Sequence, residues 1–150
     1  MKLFSVPKTD LVVELLLRNE HCPPHVHVEN EKVPWEARFE FSFVSNAVRL
    51  MDIDPIQDAP SIKTIDCIRA AITANLVKCR KEWWERIGDC CINNRWMCLT
   101  EDGELAILGK RDKDATQIRA VVYDVGKKEL TVSLKDGAVH VKTAGKGVYR

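Results

Sequence analysis

The sequence predicts an α+β protein, in which an N-terminal antiparallel sheet with one long helix is followed by a small β-rich meander unit. Three observations support this fold class. Apolar and polar residues alternate over Trp35–Phe43, which is the period of a strand with one buried face. Apolar residues recur every three or four positions over Ser61–Arg86, which is the period of an amphipathic helix. Asp102-Gly103 and Asp136-Gly137 are strong hairpin signals in the last third of the chain.

The front of the chain is predicted to form short strands. Alternation and β-branched content place them at Lys2–Val6, Leu11–Arg18, His25–Glu29, Trp35–Phe43 and Ala47–Ile53. Ser45-Asn46 separates the last two as a turn, so these two strands should form a hairpin. The odd-numbered residues of Trp35–Phe43 include three phenylalanines, and we expect them to share the buried face.

The predicted helix begins after Ser61, a favourable N-cap, and stops at Gly88. It ends in Trp83-Trp84. Because adjacent helical residues point about 100° apart, one of these tryptophans can face the core and the other cannot easily do so. The second one would then either belong to an interaction surface, where aromatic residues concentrate, or be covered by the back half of the chain.

The remainder of the chain is predicted to be β-rich. Its strands are Arg95–Thr100, Glu104–Leu108, Gln117–Asp124, Leu130–Leu134 and Ala138–Val141. We therefore divide the chain into two domains, residues 1–88 and 89–150.

Composition favours a folded protein in the cytoplasm. The 150 residues are 45% hydrophobic and 30% charged, which supports a packed core, and the net charge of +1 gives no general signal for nucleic acid. The first 60 residues are acidic, with 6 Lys or Arg against 10 Asp or Glu. No signal peptide and no apolar run long enough to span a bilayer is recognisable, so we expect a cytoplasmic protein without membrane association. The cysteines should then be mostly reduced. Those expected to be buried free thiols are Cys79, Cys90, Cys91 and Cys98.

Three of the four histidines, His21, His25 and His27, lie close together. Side chains at positions i and i+2 of a strand point to the same face. His25 and His27 should therefore project together, with Val26 and Val28 on the other face. The Pro-Pro pair before His25 stiffens the entry to this strand.

The sequence leaves four roles open for these histidines. As metal ligands, His21, His25 and His27 would supply imidazoles, and an acidic side chain would complete the set. The candidate carboxylates are Glu31, Asp52 and Asp54. As catalysts, His25 and His27 would form an acid–base pair. As structural residues, they would be partly buried and hydrogen-bonded to the Pro-Pro backbone or to a carboxylate. As contact residues, they would bind a partner protein.

The front of the chain resembles the bacterial domain-of-unknown-function 4160 family. The hallmark of that family is a strand, an (Asp/Glu)-His-x-Pro-Pro-His-x-His-Val motif, a β-hairpin and a helix that ends in an aromatic residue. The corresponding segments here are Leu11–Arg18, Glu20–Val28, Trp35–Ile53 and Ser61–Trp84, so the resemblance covers about residues 1–88.

The back half is more weakly similar to a second family, domain of unknown function 2442. Its pattern is an apolar strand, a turn and Leu-x-Val-x-(apolar)-x-Asp-Gly, which Ile118–Tyr123 and Leu130–Gly137 match. The two families are usually neighbours in bacterial genomes, as toxin–antitoxin-like gene pairs. The resemblance implies a fusion of such a pair, with a place in mobile-element or stress biology, and it supplies no catalytic residues.

We therefore expect a non-enzymatic protein-interaction module, a toxin–antitoxin-like or phage- and mobile-element-associated regulator that acts by binding a partner protein. Its binding residues would be His21, His25, His27, Trp83 and Trp84. A homodimer is one such arrangement, and nucleic acid has thinner support as a partner. No cofactor is predicted, although a divalent metal held by His21, His25 and His27 stays open. The alternative function is a metal-dependent or histidine-based hydrolase of RNA or nucleotides, with His25 and His27 as catalytic residues.

Overall fold

The computed structural model describes residues 1–16 and 20–150 and divides into two compact units. The first comprises Met1–Phe41 and Ala47–Ile87, and the second comprises Ser42–Asn46 and Gly88–Arg150. The described residues form two α-helices and eleven strands in two sheets. The α+β class predicted from the sequence is confirmed.

The first unit contains a five-stranded sheet whose strands lie in chain order and pair antiparallel throughout. The strands are β1 (Lys2–Ser5), β2 (Val12–Glu14), β3 (His25–Glu29), β4 (Glu36–Glu40) and β5 (Arg49–Asp54). The predicted strand Leu11–Arg18 is present over Val12–Glu14, and its last two residues lie outside the described part of the chain.

Strand β4 stops three residues short of its predicted end because Ser42 interrupts it. The hydroxyl oxygen of Ser42 accepts hydrogen bonds from the amides of Val44, at 2.9 Å, and Ser45, at 3.4 Å. A hydroxyl that binds nearby amides in this way competes with the sheet for them. The predicted tight turn at Ser45-Asn46 is therefore wrong, and residues 42–46 belong to the second unit.

The sheet of the first unit has one apolar face and one polar face. The strand register aligns the apolar side chains across β2 to β5, and all of them are buried. They are Val13, Val26, Val28, Ala37, Phe39 and Ile53. The alternation predicted for β4 is confirmed, and its consequence is that the intervening positions form a separate polar surface.

The prediction of one long helix is wrong. The chain forms α1 (Ile62–Ala74) and α2 (Leu76–Ile87) in its place. Ser61 caps α1 as expected, because its hydroxyl accepts a hydrogen bond from the Thr64 amide at 3.2 Å. Asn75 separates the helices, and its side chain donates to the Ala71 carbonyl at 2.8 Å. Asparagine side chains compete with the regular helical hydrogen bonds, which explains the break. The predicted arrangement of a sheet with a single helix is therefore not confirmed.

Helix α2 buries one of its two tryptophans. Trp83 is fully buried, whereas Trp84 is half-buried, as the 100° separation of adjacent residues requires. The helix stops at Ile87, and Gly88 follows it with a left-handed φ of 69°, the usual conformation at a glycine C-cap. Among the described residues, no helix is long and apolar enough to cross a lipid bilayer.

The second unit contains a six-stranded sheet. Its strands are β6 (Trp96–Leu99), β7 (Leu105–Leu108), β8 (Thr116–Asp124), β9 (Glu129–Leu134), β10 (Val139–Thr143) and β11 (Val148–Tyr149). The order is β10-β9-β8-β6-β7-β11, with one parallel pair between β7 and β11. Each strand predicted for this region is present within two residues of its predicted ends. Strand β11 is an addition that the sequence pattern did not indicate.

The cysteines differ from expectation at two positions, Cys98 and Cys91. Cys79 and Cys90 are buried free thiols, and desolvation raises the pKa of each to about 12, so both stay protonated at neutral pH. Cys98 is free and half-buried. Cys91 is disulfide-bonded, so the prediction of a free thiol is wrong there.

Gly147 is a position that cannot accommodate a side chain. A Cβ atom there would overlap the Leu105 carbonyl oxygen and lie 2.7 Å from Cγ1 of Val44. Gly147→Ala should lower the free energy of unfolding by about 1–3 kcal/mol, measured by urea denaturation, because packed interiors tolerate added volume poorly. The control is Gly109→Ala, whose Cβ would meet its nearest atom at 3.7 Å. That variant should stay within about 0.5 kcal/mol of the wild type. Equal stability of the two variants would contradict the prediction.

Candidate metal centre

Strand β3 places two imidazoles on the polar face of the first sheet. His25 lies opposite Glu40 of β4, and His27 lies opposite Arg38. Their ring centroids are 5.1 Å apart, while Val26 and Val28 point into the core. The expectation that the two histidines project together is confirmed, and its cause is the two-residue period of the strand.

Glu20 contacts both imidazoles with one carboxylate. Its Oε2 lies 2.9 Å from Nε2 of His25, and its Oε1 lies 3.3 Å from Nε2 of His27. One donor atom from each of these three residues lies within 4.8 Å of the other two. The group is almost closed to solvent, because the side chains of Glu20, His25 and His27 are 4%, 3% and 8% exposed.

A hydrogen bond at Nδ1 fixes the tautomer of His25. Its Nδ1 lies 2.8 Å from the carbonyl oxygen of Pro23, which can only accept, so Nδ1 carries the proton. In the neutral ring, Nε2 is then an acceptor that faces the Glu20 carboxylate. Oε2 of Glu20 is buried and has no hydrogen-bond partner among the described residues, despite the 2.9 Å separation. With His25 neutral and Glu20 ionised, two electron-rich atoms face each other at short range inside the protein.

His27 also has a carboxylate behind its ring. Oε1 of Glu36 lies 3.4 Å from Nδ1 of His27, on the side away from Glu20. Histidines that bind metals usually donate their other ring N–H to a carbonyl or a carboxylate. Pro23 and Glu36 supply these two kinds of acceptor to His25 and His27.

Burial lowers the pKa of His25. Desolvation is the main cause, and the hydrogen bond to the Pro23 carbonyl and the charge of Glu20 oppose it. The ring of Trp83 packs 5.5 Å from the His25 ring and contributes to this apolar surrounding. Neutral imidazole is the form that binds metal ions.

The remaining residues predicted for the site are not part of this donor group. The exposed ring of His21 lies 6.3 Å from that of His25, and His21 is outside the 4.8 Å group. Asp52 forms an ion pair with Arg38, which lowers the pKa of Asp52. Trp83 is buried beside His25, and Trp84 lies at the surface boundary of α2.

Glu20 is not among the site residues that the sequence indicated. The only local signal was its place at the start of the histidine motif, five residues before His25. A loop carries it to the imidazoles, and no periodicity fixes where a loop side chain points.

A scan against models of protein families, a search of curated proteins and a search of solved structures each find no match to this chain. The resemblance to the 4160 and 2442 families therefore stays a prediction, and the site is interpreted from its geometry.

The pKa of His25 gives a prediction for stability. Because folding lowers this pKa below the usual 6.5, the unfolded chain binds protons at His25 more readily than the folded protein does. The stabilising contribution is fully present above the unfolded pKa and is lost as pH falls below it. Denaturant unfolding of the metal-free protein between about pH 8 and pH 5 should show this loss, and His25→Gln should reduce the slope. Equal slopes for the variant and the wild type would contradict the assignment.

Proposed function

We propose that this chain is a metal-binding protein whose first unit holds a divalent transition-metal ion with Glu20, His25 and His27. The observation that carries the proposal is the buried Oε2 of Glu20, which faces the Nε2 acceptor of His25 at 2.9 Å without a hydrogen bond. A cation between these atoms would replace their repulsion with two ligand contacts. Two imidazoles and one carboxylate suit zinc and iron(II), with the remaining positions filled by water or by another ligand.

A structural role explains only part of this arrangement. The contacts that such a role requires are present, since His25 bonds to the Pro23 carbonyl and both histidines contact a carboxylate. However, an ionised carboxylate with one oxygen buried and not hydrogen-bonded, as Oε2 of Glu20 is, is costly to the fold. A bound metal ion offsets that cost, and the structural contacts then serve to orient the ligands.

The charges around the group favour a cation over a phosphate. Acidic side chains predominate on the polar face of the sheet, as its register shows. They are Glu14, Glu29, Glu36, Glu40, Asp52 and Asp54, against Lys2, Arg38 and Arg49. Both of these arginines are already paired, with Asp52 and with Glu40. This field attracts a divalent ion and repels a phosphodiester, so it gives no support to hydrolysis of RNA or nucleotides.

Zinc titration of the tag-free protein by calorimetry tests the proposal. One equivalent of Zn²⁺ should bind, and zinc at about 100 times its dissociation constant should raise the free energy of unfolding by about 2.7 kcal/mol. Glu20→Gln, His25→Ala and His27→Ala should each weaken binding by more than the roughly 10–100-fold that changes behind the ligands cost.

The matched control is His21→Ala, which removes a neighbouring histidine outside the donor group and should retain the wild-type affinity. The sequence indicated His21 as a ligand, whereas the structure places Glu20 in the donor group instead. This variant therefore also tests which of the two ligand sets is correct. Absence of stoichiometric zinc in the wild type would overturn the proposal. An equal loss in His21→Ala and His25→Ala would overturn the assignment of the ligands.

A protein-contact role, which the sequence analysis favours, is the second candidate, and the second unit supports it. Three valines on one face of its sheet are more than half exposed: Val122, Val139 and Val141. The register aligns Val122 and Val141 through Thr131, so they form a continuous uncharged row. Regulation in a toxin–antitoxin-like pair would use such a surface.

The occupant that fits this face best is a second copy of the chain. Asp124 and Glu129 flank the uncharged patch at one end, and Arg119 and Lys135 flank it at the other. Two copies packed face to face with their strands antiparallel would bring each acidic end over a basic end.

Sedimentation velocity at micromolar concentration tests this pairing. The wild type should be a dimer, and Val141→Lys should be a monomer because it places a charge in the centre of the apolar face. Val148→Lys adds the same charge on β11, outside this face, and should leave the dimer intact. A monomeric wild type would exclude the second-copy arrangement.

A further inference from the structure

His27 has a carboxylate at each of its ring nitrogens. Oε1 of Glu20 lies 3.3 Å from Nε2, and Oε1 of Glu36 lies 3.4 Å from Nδ1. A neutral imidazole has one N–H and one lone pair, so it can donate to only one of the two carboxylates. If the proton is on Nε2, His27 donates to Glu20 and cannot bind a metal through that nitrogen. If the proton is on Nδ1, Nε2 is free to act as a ligand.

We infer that Glu36 is a positioning residue of the metal centre, which holds His27 in the tautomer whose Nε2 binds the metal ion. This inference rests on the proposed function. In that tautomer the ring would be neutral, with its one proton on Nδ1 and the lone pair of Nε2 available to a metal ion. Glu36 stabilises this tautomer because it accepts the hydrogen bond from Nδ1.

The strand register gives Glu36 this position. It lies on β4 two residues before Arg38, which is directly opposite His27, and diagonal neighbours of this kind are within reach of long side chains. Arg38 is bound to Asp52 through Nε at 2.9 Å and so does not draw Glu36 into an ion pair. Within the described residues, the one hydrogen bond of Glu36 is that to His27.

His25 and His27 therefore have comparable partners at their two ring nitrogens. Each has an acceptor at Nδ1, a backbone carbonyl for His25 and the Glu36 carboxylate for His27. Each also turns its Nε2 toward Glu20. The two acceptors differ in kind, because that of His25 is a backbone carbonyl and that of His27 is a side chain. The side chain of Glu36 is 49% exposed, so it can be substituted with little effect on the core.

Zinc affinity and the tautomer of His27 test the inference together. Glu36→Ala should weaken Zn²⁺ binding about 10–100-fold, the usual effect of losing an acceptor behind a ligand histidine. Glu36→Gln keeps an acceptor oxygen while it removes the charge, so its affinity should lie closer to that of the wild type. In zinc-loaded wild-type protein, ¹⁵N NMR should show His27 with its proton on Nδ1, assigned by comparison with His27→Gln.

The matched control is Glu40→Ala. Glu40 lies on the same strand and face and carries the same charge, but it pairs with Arg49 at 2.8 Å rather than with an imidazole. A loss confined to Glu36→Ala, with rescue by glutamine, supports the inference. Equal affinities in Glu36→Ala and Glu40→Ala, or a His27 proton on Nε2 in the zinc-loaded protein, overturn it while the metal site stands. A wild type that binds no zinc overturns both the inference and the proposed function.

Discussion

The arrangement of the first unit depends on one buried carboxylate between two imidazoles. Glu20 is 4% exposed and lies within 3.3 Å of both Nε2 atoms, so its charge has little access to water. An uncompensated charge in such a place would destabilise the fold. The stability of the first unit therefore depends on what lies next to this carboxylate. The Pro23 carbonyl and the Glu36 carboxylate lie on the Nδ1 side of the rings, and Glu20 lies on the Nε2 side.

The sheet makes this arrangement possible because one of its faces is apolar and the other is polar. Val26 and Val28 anchor β3 in the apolar core, which helps to hold His25 and His27 on the opposite face. The polar face then presents those histidines beside acidic side chains of β4 and β5. A rigid strand is a more exact support for ligands than a loop, since its backbone is fixed by neighbours on both sides.

Burial separates the residues that the sequence grouped as a binding surface. His25, His27 and Trp83 form an interior cluster, in which the tryptophan packs on the imidazole and helps to exclude water. Little of the surface of these residues is accessible to solvent. The most exposed uncharged surface described above lies instead on the sheet of the second unit, around Val122 and Val141. The histidine cluster and this valine face belong to different compact units.

Local periodicity in the sequence determined the alternation of β3 and β4, the pairing of His25 with His27 on one face, the cap at Ser61 and the burial of one tryptophan of two. These features depend only on the geometry of a strand or a helix, which neighbouring residues set. The tertiary structure alone decided which carboxylate lies against the two imidazoles, the helix break at Asn75 and the early end of β4 at Ser42. Each of these three features depends on which partner a polar side chain contacts. Glu20 contacts imidazoles, Asn75 bonds to a backbone carbonyl, and Ser42 bonds to backbone amides. The energies of those alternatives differ by little until packing fixes the distances, so residue type and spacing could not decide between them.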